Sequence, residues 1–168
     1  MHIQKHDFYK FSSEYRKNFI VIRYGDLPDI PYLIRDLFKS INTILSATNF
    51  KKYVDTDKDA LIKDVFMYFT IVLELKKNLV YICDLFWETY LKMEDQSAEH
   101  ILELCMQGEY EYNVITLENF KYLLDQWIGI LEYKPNFALL YQDENDWYDI
   151  LPFQTENQMK QFVQDHQQ

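Results

Sequence analysis

The chain has 168 residues, of which 48% are hydrophobic and 17% aromatic, enough apolar material for one domain with a sizeable core. Three glycines and four prolines are too few for a turn-rich β-sandwich or barrel, and the aromatic content argues against disorder. The net charge of −10 is uneven, residues 1–80 summing to +3 and residues 81–168 to −13; direct binding of DNA or RNA, which needs a basic patch, is disfavoured.

The first 17 residues are ambiguous, with a weak helical pattern. "NFIVIRYGD" is short and β-branched and ends in Gly25-Asp26, which suits a strand or an extended segment. "DIPYLIRDLFKSINTIL" offers Asp29 as N-cap, Pro31 in a first turn, and Leu33, Leu37, Ile41 and Ile44 at helical spacing. That spacing predicts an amphipathic helix from Ile30 to Ala47. The capping residues Asp55 to Asp57 then open a long helical pattern to about Met93, broken near Lys77-Asn78 and apolar nearly all round in its first half.

"SAEHILELCMQG" reads as a helix from Ser97, as N-cap, to a stop at Gly108. In "TLENFKYLLDQWIGIL", Thr116 is the N-cap and Leu117, Phe120, Leu124, Trp127 and Leu131 share one face, with "YKPN" ending the helix. Residues 137–153 fit neither template, "FALLY" suiting a short strand or a helical turn. "TENQMKQFVQDH" carries a capping box, Thr155 with Gln158, before a short amphipathic helix through Met159, Phe162 and Val163. No repeat, low-complexity tract or linker divides the chain. The expectation is a mainly α protein, a single-domain helical bundle over 1–168 with a long central helix. At most, a minor strand element is expected near 19–24 or 137–141.

Cys83 and Cys105 lie in apolar surroundings and read as two buried free thiols in a reducing compartment. Met1 to Arg23 has no apolar core followed by a cleavage site, and "VFMYFTIVL" is stopped by Glu74, Lys76 and Lys77. A cytoplasmic location without membrane contact follows.

Most site chemistry fails on spacing. An EF-hand loop started at Asp143 places Trp147 and Tyr148 where a ligand and a glycine belong. Started at Asp55, it has Ala60 for the glycine and Phe66 for the bidentate glutamate. The histidines His2, His6, His100 and His166 form no helical ligand pair, and no Cys-x-x-Cys occurs, so neither a metal nor a cofactor is expected. No nucleophile elbow and no glycine-rich phosphate cradle can be written with glycines only at 25, 108 and 129. An enzyme is disfavoured, and no catalytic residue is assigned.

The acids themselves are patterned. Asp84 and Glu88, and Glu99 and Glu103, stand four apart on predicted helices, where like charges cost a few tenths of a kcal/mol each. "GEYEYN" alternates carboxylate and tyrosine, and "YQDENDWYDI" mixes both kinds again. Exposed carboxylates speed encounter with a basic protein, and Tyr or Trp anchors then supply affinity. The candidate partner-binding residues are therefore Glu109, Tyr110, Glu111 and Tyr112 in the first segment. In the second they are Asp143, Glu144, Asp146, Trp147, Tyr148 and Asp149, with Trp147 as anchor. The plain alternative is a solvated acidic surface whose aromatics are core.

In length, in its acidic C-terminal half and in segments such as "EYEY" and "DENDWYD", the chain resembles immunity proteins of bacterial polymorphic toxin systems, including contact-dependent growth inhibition. The resemblance is one of overall character and covers no diagnostic motif. It implies a cytosolic inhibitor that binds and neutralises a basic toxin domain, such as a nuclease. A nucleic-acid mimic of the anti-restriction or anti-CRISPR kind, and an enzyme whose site is assembled only in space, are the competing readings.

Overall fold

The computed structural model describes residues 1–11, 19–22, 31–62, 69–84 and 97–166. They fall in two compact units, one of Met1–Ala47 with Tyr122–Gln168 and one of Thr48–Lys121.

The first unit holds a four-stranded antiparallel sheet built from β1 (Ile3–Phe11), β2 (Phe19–Ile22), β7 (Phe137–Asp143) and β8 (Tyr148–Phe153), in the order β2-β1-β7-β8. Its helices are α1 (Tyr32–Ser40), most of α4 (Leu117–Tyr133) and α5 (Glu156–His166). Side chains alternate across a strand, so register assigns the faces. Tyr9, paired with Ala138, meets Trp127 of α4 at 5.2 Å between ring centroids and donates its hydroxyl to the Arg35 carbonyl of α1 at 2.8 Å. The opposite face carries Leu139 and Tyr141, which pack with Met159 and Val163 of α5. Trp127 is fully buried, its ring near Phe38 at 5.9 Å, and its indole N–H donates to the Ile41 carbonyl at 2.6 Å.

The second unit holds a meander of β3 (Ala60–Ile62), β4 (Phe69–Glu74), β5 (Leu79–Asp84) and β6 (Tyr112–Thr116), each antiparallel to the next. A 3-10 turn, Leu75–Lys77, joins β4 to β5 and closes on Asn78 in the left-handed region at φ 56°. The short helix α3 (Ala98–Met106) packs Ile101 and Cys105 on Val72, Tyr81 and Cys83. Phe50 of α2 (Ile44–Val54) meets Phe120 edge-on at 6.0 Å.

The helical-bundle expectation is corrected: the protein is mixed α/β, with two antiparallel sheets. The long central helix over 55–93 does not form where the structure describes it. Phe69–Glu74 and Leu79–Asp84 are neighbouring strands, and the break at Lys77-Asn78 is a hairpin turn. A strand buried on both faces reads as a continuous apolar run, as a core helix does, and Thr70 to Leu73 are all at or below 1% exposure. The β-branched Thr70, Ile71 and Val72 favour the strand. The rest of that helix, residues 63–68 and 85–93, lies outside the described residues, as do Gly25-Asp26 and the Asp29 cap.

Of the first 17 residues, read as a weak helical pattern, residues 12–17 lie outside the described residues and Ile3–Phe11 form β1, an inner strand. Its alternation is obscured because Asp7 is fully buried, with Arg35 Nη1 3.7 Å from its carboxylate. The strands near 19–24 and 137–141 are principal parts of a sheet, not a minor element. The helix expected over 30–47 is two helices. Thr43 and Ser46 exchange backbone-to-hydroxyl bonds at 3.2 and 3.1 Å, a cap that starts α2 afresh.

Capping chemistry elsewhere agrees with the sequence. Ser97 Oγ accepts from the His100 N–H at 3.3 Å, and Thr116 Oγ1 from the Asn119 N–H at 3.2 Å. Thr155 and Gln158 exchange backbone-to-side-chain bonds, both at 3.2 Å. Among the described residues no helix is long and apolar enough to cross a membrane.

Candidate partner-binding segments

"YQDENDWYDI" is the β7–β8 hairpin. Asp143, at the end of β7, turns its carboxylate inward to accept the backbone N–H groups of Asn145 at 2.8 Å and Trp147 at 3.1 Å. Its own N–H donates to the Trp147 carbonyl at 3.0 Å, and the Asp146 N–H to the Asp143 carbonyl at 3.2 Å. Asp146 takes the left-handed region at φ 60°, which aspartate tolerates better than most residues. Gln142 Nε2 reaches the Asp146 carboxylate at 3.3 Å. The Asp143 carboxylate is the centre of the turn, and Glu144, Asn145 and Asp146 are displayed in exposed positions. The His2 N–H donates to Glu144, and this bond leads the causes that hold the Glu144 carboxyl below its usual range.

The three aromatic rings divide. Tyr141 and Tyr148 are core residues, 2% and 5% exposed, and Trp147 is half-buried with its ring 5.6 Å from Tyr122. Asp149 is half-buried and accepts two phenol hydroxyls, from Tyr122 at 2.9 Å and Tyr141 at 3.0 Å, as well as the Ile150 N–H at 2.7 Å. Burial, then the Asp149 hydrogen bond and charge, pushes Tyr122 up to about 12; burial and the same carboxylate raise Tyr141 further. Tyr148 is pushed up to about 12, mainly by burial. Of the four acids, Asp143 and Asp149 perform structural tasks, whereas Glu144 and Asp146 face solvent.

In the other unit, Glu109–Tyr112 links α3 to β6. Gly108, at φ 80°, reverses the chain, donating to the Cys105 carbonyl at 3.0 Å, and the Glu109 N–H donates to the Leu104 carbonyl at 3.0 Å. Tyr110 packs against the cluster of Val72, Tyr81 and Cys83. Tyr112 opens β6, the last strand of its sheet, 37% exposed and 6.2 Å from the Tyr81 ring. Glu109 and Glu111 are exposed, as is Val114 two residues further along β6. Of the paired acids, Glu99 and Glu103 are exposed on α3, with Glu103 3.8 Å from the His100 ring, while Asp84 ends β5 and Glu88 lies outside the described residues.

Two features had no signal in the sequence. Tyr122 reaches Asp149 across 27 positions, and Tyr9, Asp7, Arg35 and Asp36 gather under the first sheet, with Arg35 Nε on Asp36 at 2.9 Å. Among the described residues no group of three His, Cys, Asp or Glu is arranged to hold a metal ion. Searches against protein-family models, curated proteins and solved structures found no match to this chain.

Proposed function

We propose that the protein is a cytosolic inhibitor of the immunity type, which binds and neutralises a basic toxin domain, a nuclease being the class its acidic surface suits. The reading rests on the hairpin, where exposed Glu144 and Asp146 stand with half-buried Trp147 on a turn already fixed by Asp143. A pre-ordered turn loses little conformational freedom on docking. Exposed carboxylates steer a cationic partner, and a tryptophan ring is among the commonest sources of interface energy. Glu109, Glu111 and Tyr112 repeat the combination in the other unit.

The test is capture from the native lysate with the full chain and with a variant combining Trp147→Ala and Asp146→Lys. One basic protein should stay bound near 1 M salt, where the screening length is about 3 Å. The variant should lose about 2–4 kcal/mol, or roughly 30- to 1000-fold in affinity. Co-expression with the captured partner should rescue growth only for the unaltered chain. Several basic proteins bound at low salt and released together would favour a nucleic-acid mimic instead. A partner indifferent to the variant would place the interface elsewhere.

A further inference from the structure

The second unit contains a chemical site that the inhibitor reading does not use. Cys83 on β5 and Cys105 on α3 are both free and buried, 0% and 2% exposed, and their sulfurs stand 3.3 Å apart. The separation is that of a thiol–thiol hydrogen bond, about 1.3 Å longer than a disulfide. The two residues sit on a strand and a helix 22 positions apart, brought together by the packing of Ile101 and Cys105 on Val72 and Tyr81. Thr70 is the cross-strand partner of Cys83, so its side chain shares that face of the sheet. It is fully buried, and its hydroxyl has no hydrogen-bond partner among the described residues.

We infer that Cys83 and Cys105 form a peroxide-responsive modification site, closing into an intrachain disulfide that ties α3 to β5. In the first step the Cys105 thiolate attacks one oxygen of hydrogen peroxide. An S–O bond forms, the O–O bond breaks, and hydroxide leaves and takes a proton to become water. Cys105 is then a sulfenic acid, oxidised by two electrons. In the second step the Cys83 sulfur attacks Cys105 Sγ, the S–O bond breaks, and the hydroxyl leaves with the Cys83 proton as a second water.

The pairing favours this course. A thiolate on Cys105 is stabilised by the S–H of Cys83, while the same hydrogen bond and burial keep Cys83 protonated. Cys105, on the covering helix and 2% exposed, is the reacting sulfur, and fully buried Cys83 is already in contact to resolve it. Closure fixes the C-terminal end of α3, whose Cys105 carbonyl accepts from Gly108, the residue preceding Glu109–Tyr112.

The experiment exposes the full chain to graded hydrogen peroxide, denatures it in the presence of an alkylating agent without reductant, and measures intact mass and linked peptides. The expected product has lost two hydrogens, takes up no alkylating agent, yields one peptide joining Cys83 to Cys105, and is restored by dithiothreitol. Its thermal midpoint rises by roughly 5–10 °C, as a cross-link closing a loop of this length predicts for a chain of this size. In Cys83→Ser, a sulfenic acid should accumulate at Cys105 and react with a dimedone probe. The measurement on the unaltered chain stands even if that variant does not fold. Two alkylated thiols after peroxide, over-oxidised Cys105 beside reduced Cys83, or only chain-to-chain dimers would each overturn the inference. None of these outcomes depends on whether the protein is an inhibitor.

Discussion

Replacing Asp149 by asparagine removes a charge while keeping the shape of the side chain that Tyr122 and Tyr141 share. The carboxylate accepts both phenol hydroxyls, at 2.9 and 3.0 Å. A hydrogen bond to a charged acceptor contributes about 1.5–3 kcal/mol and a neutral one about 0.5–1.5 kcal/mol, so each loses on the order of 1 kcal/mol. Tyr122 and Asp149 are only half-buried, and water and salt screen part of their interaction. The expected destabilisation is about 1–2 kcal/mol at neutral pH, a fall in urea midpoint of roughly 0.5–1 M with unchanged slope.

A pH series checks the physical cause. A tyrosine whose folded pKa lies above its unfolded value of about 10 contributes stability that is intact below pH 10 and lost as pH rises through the folded value. Burial and Asp149 push Tyr122 up to about 12, and Tyr141 is raised as well. The unaltered protein should therefore hold its stability through neutral pH and lose it progressively above about pH 10. In Asp149→Asn the tyrosines should ionise at lower pH, read as tyrosinate absorbance, though burial still holds Tyr141 up. The stability gap between the two proteins should then narrow in alkali. A variant with the same midpoint and the same tyrosine titration would refute the role given to this carboxylate.

Trp127→Phe should cost about 2–4 kcal/mol in thermal or urea unfolding, because it opens a cavity among Tyr9 and Phe38 and leaves the buried Ile41 carbonyl without its donor; a loss below about 1 kcal/mol would show that this core repacks readily. Asp143→Ala should release the backbone N–H groups of Asn145 and Trp147, raising their hydrogen-exchange rates while those of the β4–β5 ladder stay unchanged. Protection retained at both amides would mean that the β7–β8 pairing alone fixes the turn.

The sequence was most legible at helix ends. Ser97, Thr116 and the Thr155–Gln158 pair are local capping devices, and each acts where its spacing places it. The apolar face of α4 was also legible, since Phe120, Leu124 and Trp127 are all fully buried. At the candidate site, the acidic and aromatic content of the hairpin could be read directly. The division of labour within it could not. Nothing in "YQDENDWYDI" distinguishes Asp143 and Asp149, which hold structure, from Glu144 and Asp146, which face solvent, because the distinguishing partners include Tyr122, 27 residues away.

The chain by itself determined its charge asymmetry, the caps at Ser97, Thr116 and Thr155, and the amphipathic helix Leu117–Tyr133, all consequences of chemistry within a few residues. The two sheets were decided by tertiary structure. A run such as "FTIVLE" satisfies its apolar side chains equally well in a core helix or in a strand covered on both faces. Only pairing with "LVYICD" across the Asn78 turn, and the burial that pairing allows, selects the strand. The same holds for β1, whose buried Asp7 lies beside Arg35, brought there by α1. It holds also for Cys83 and Cys105, which read as two separate buried thiols until β5 and α3 pack them into contact.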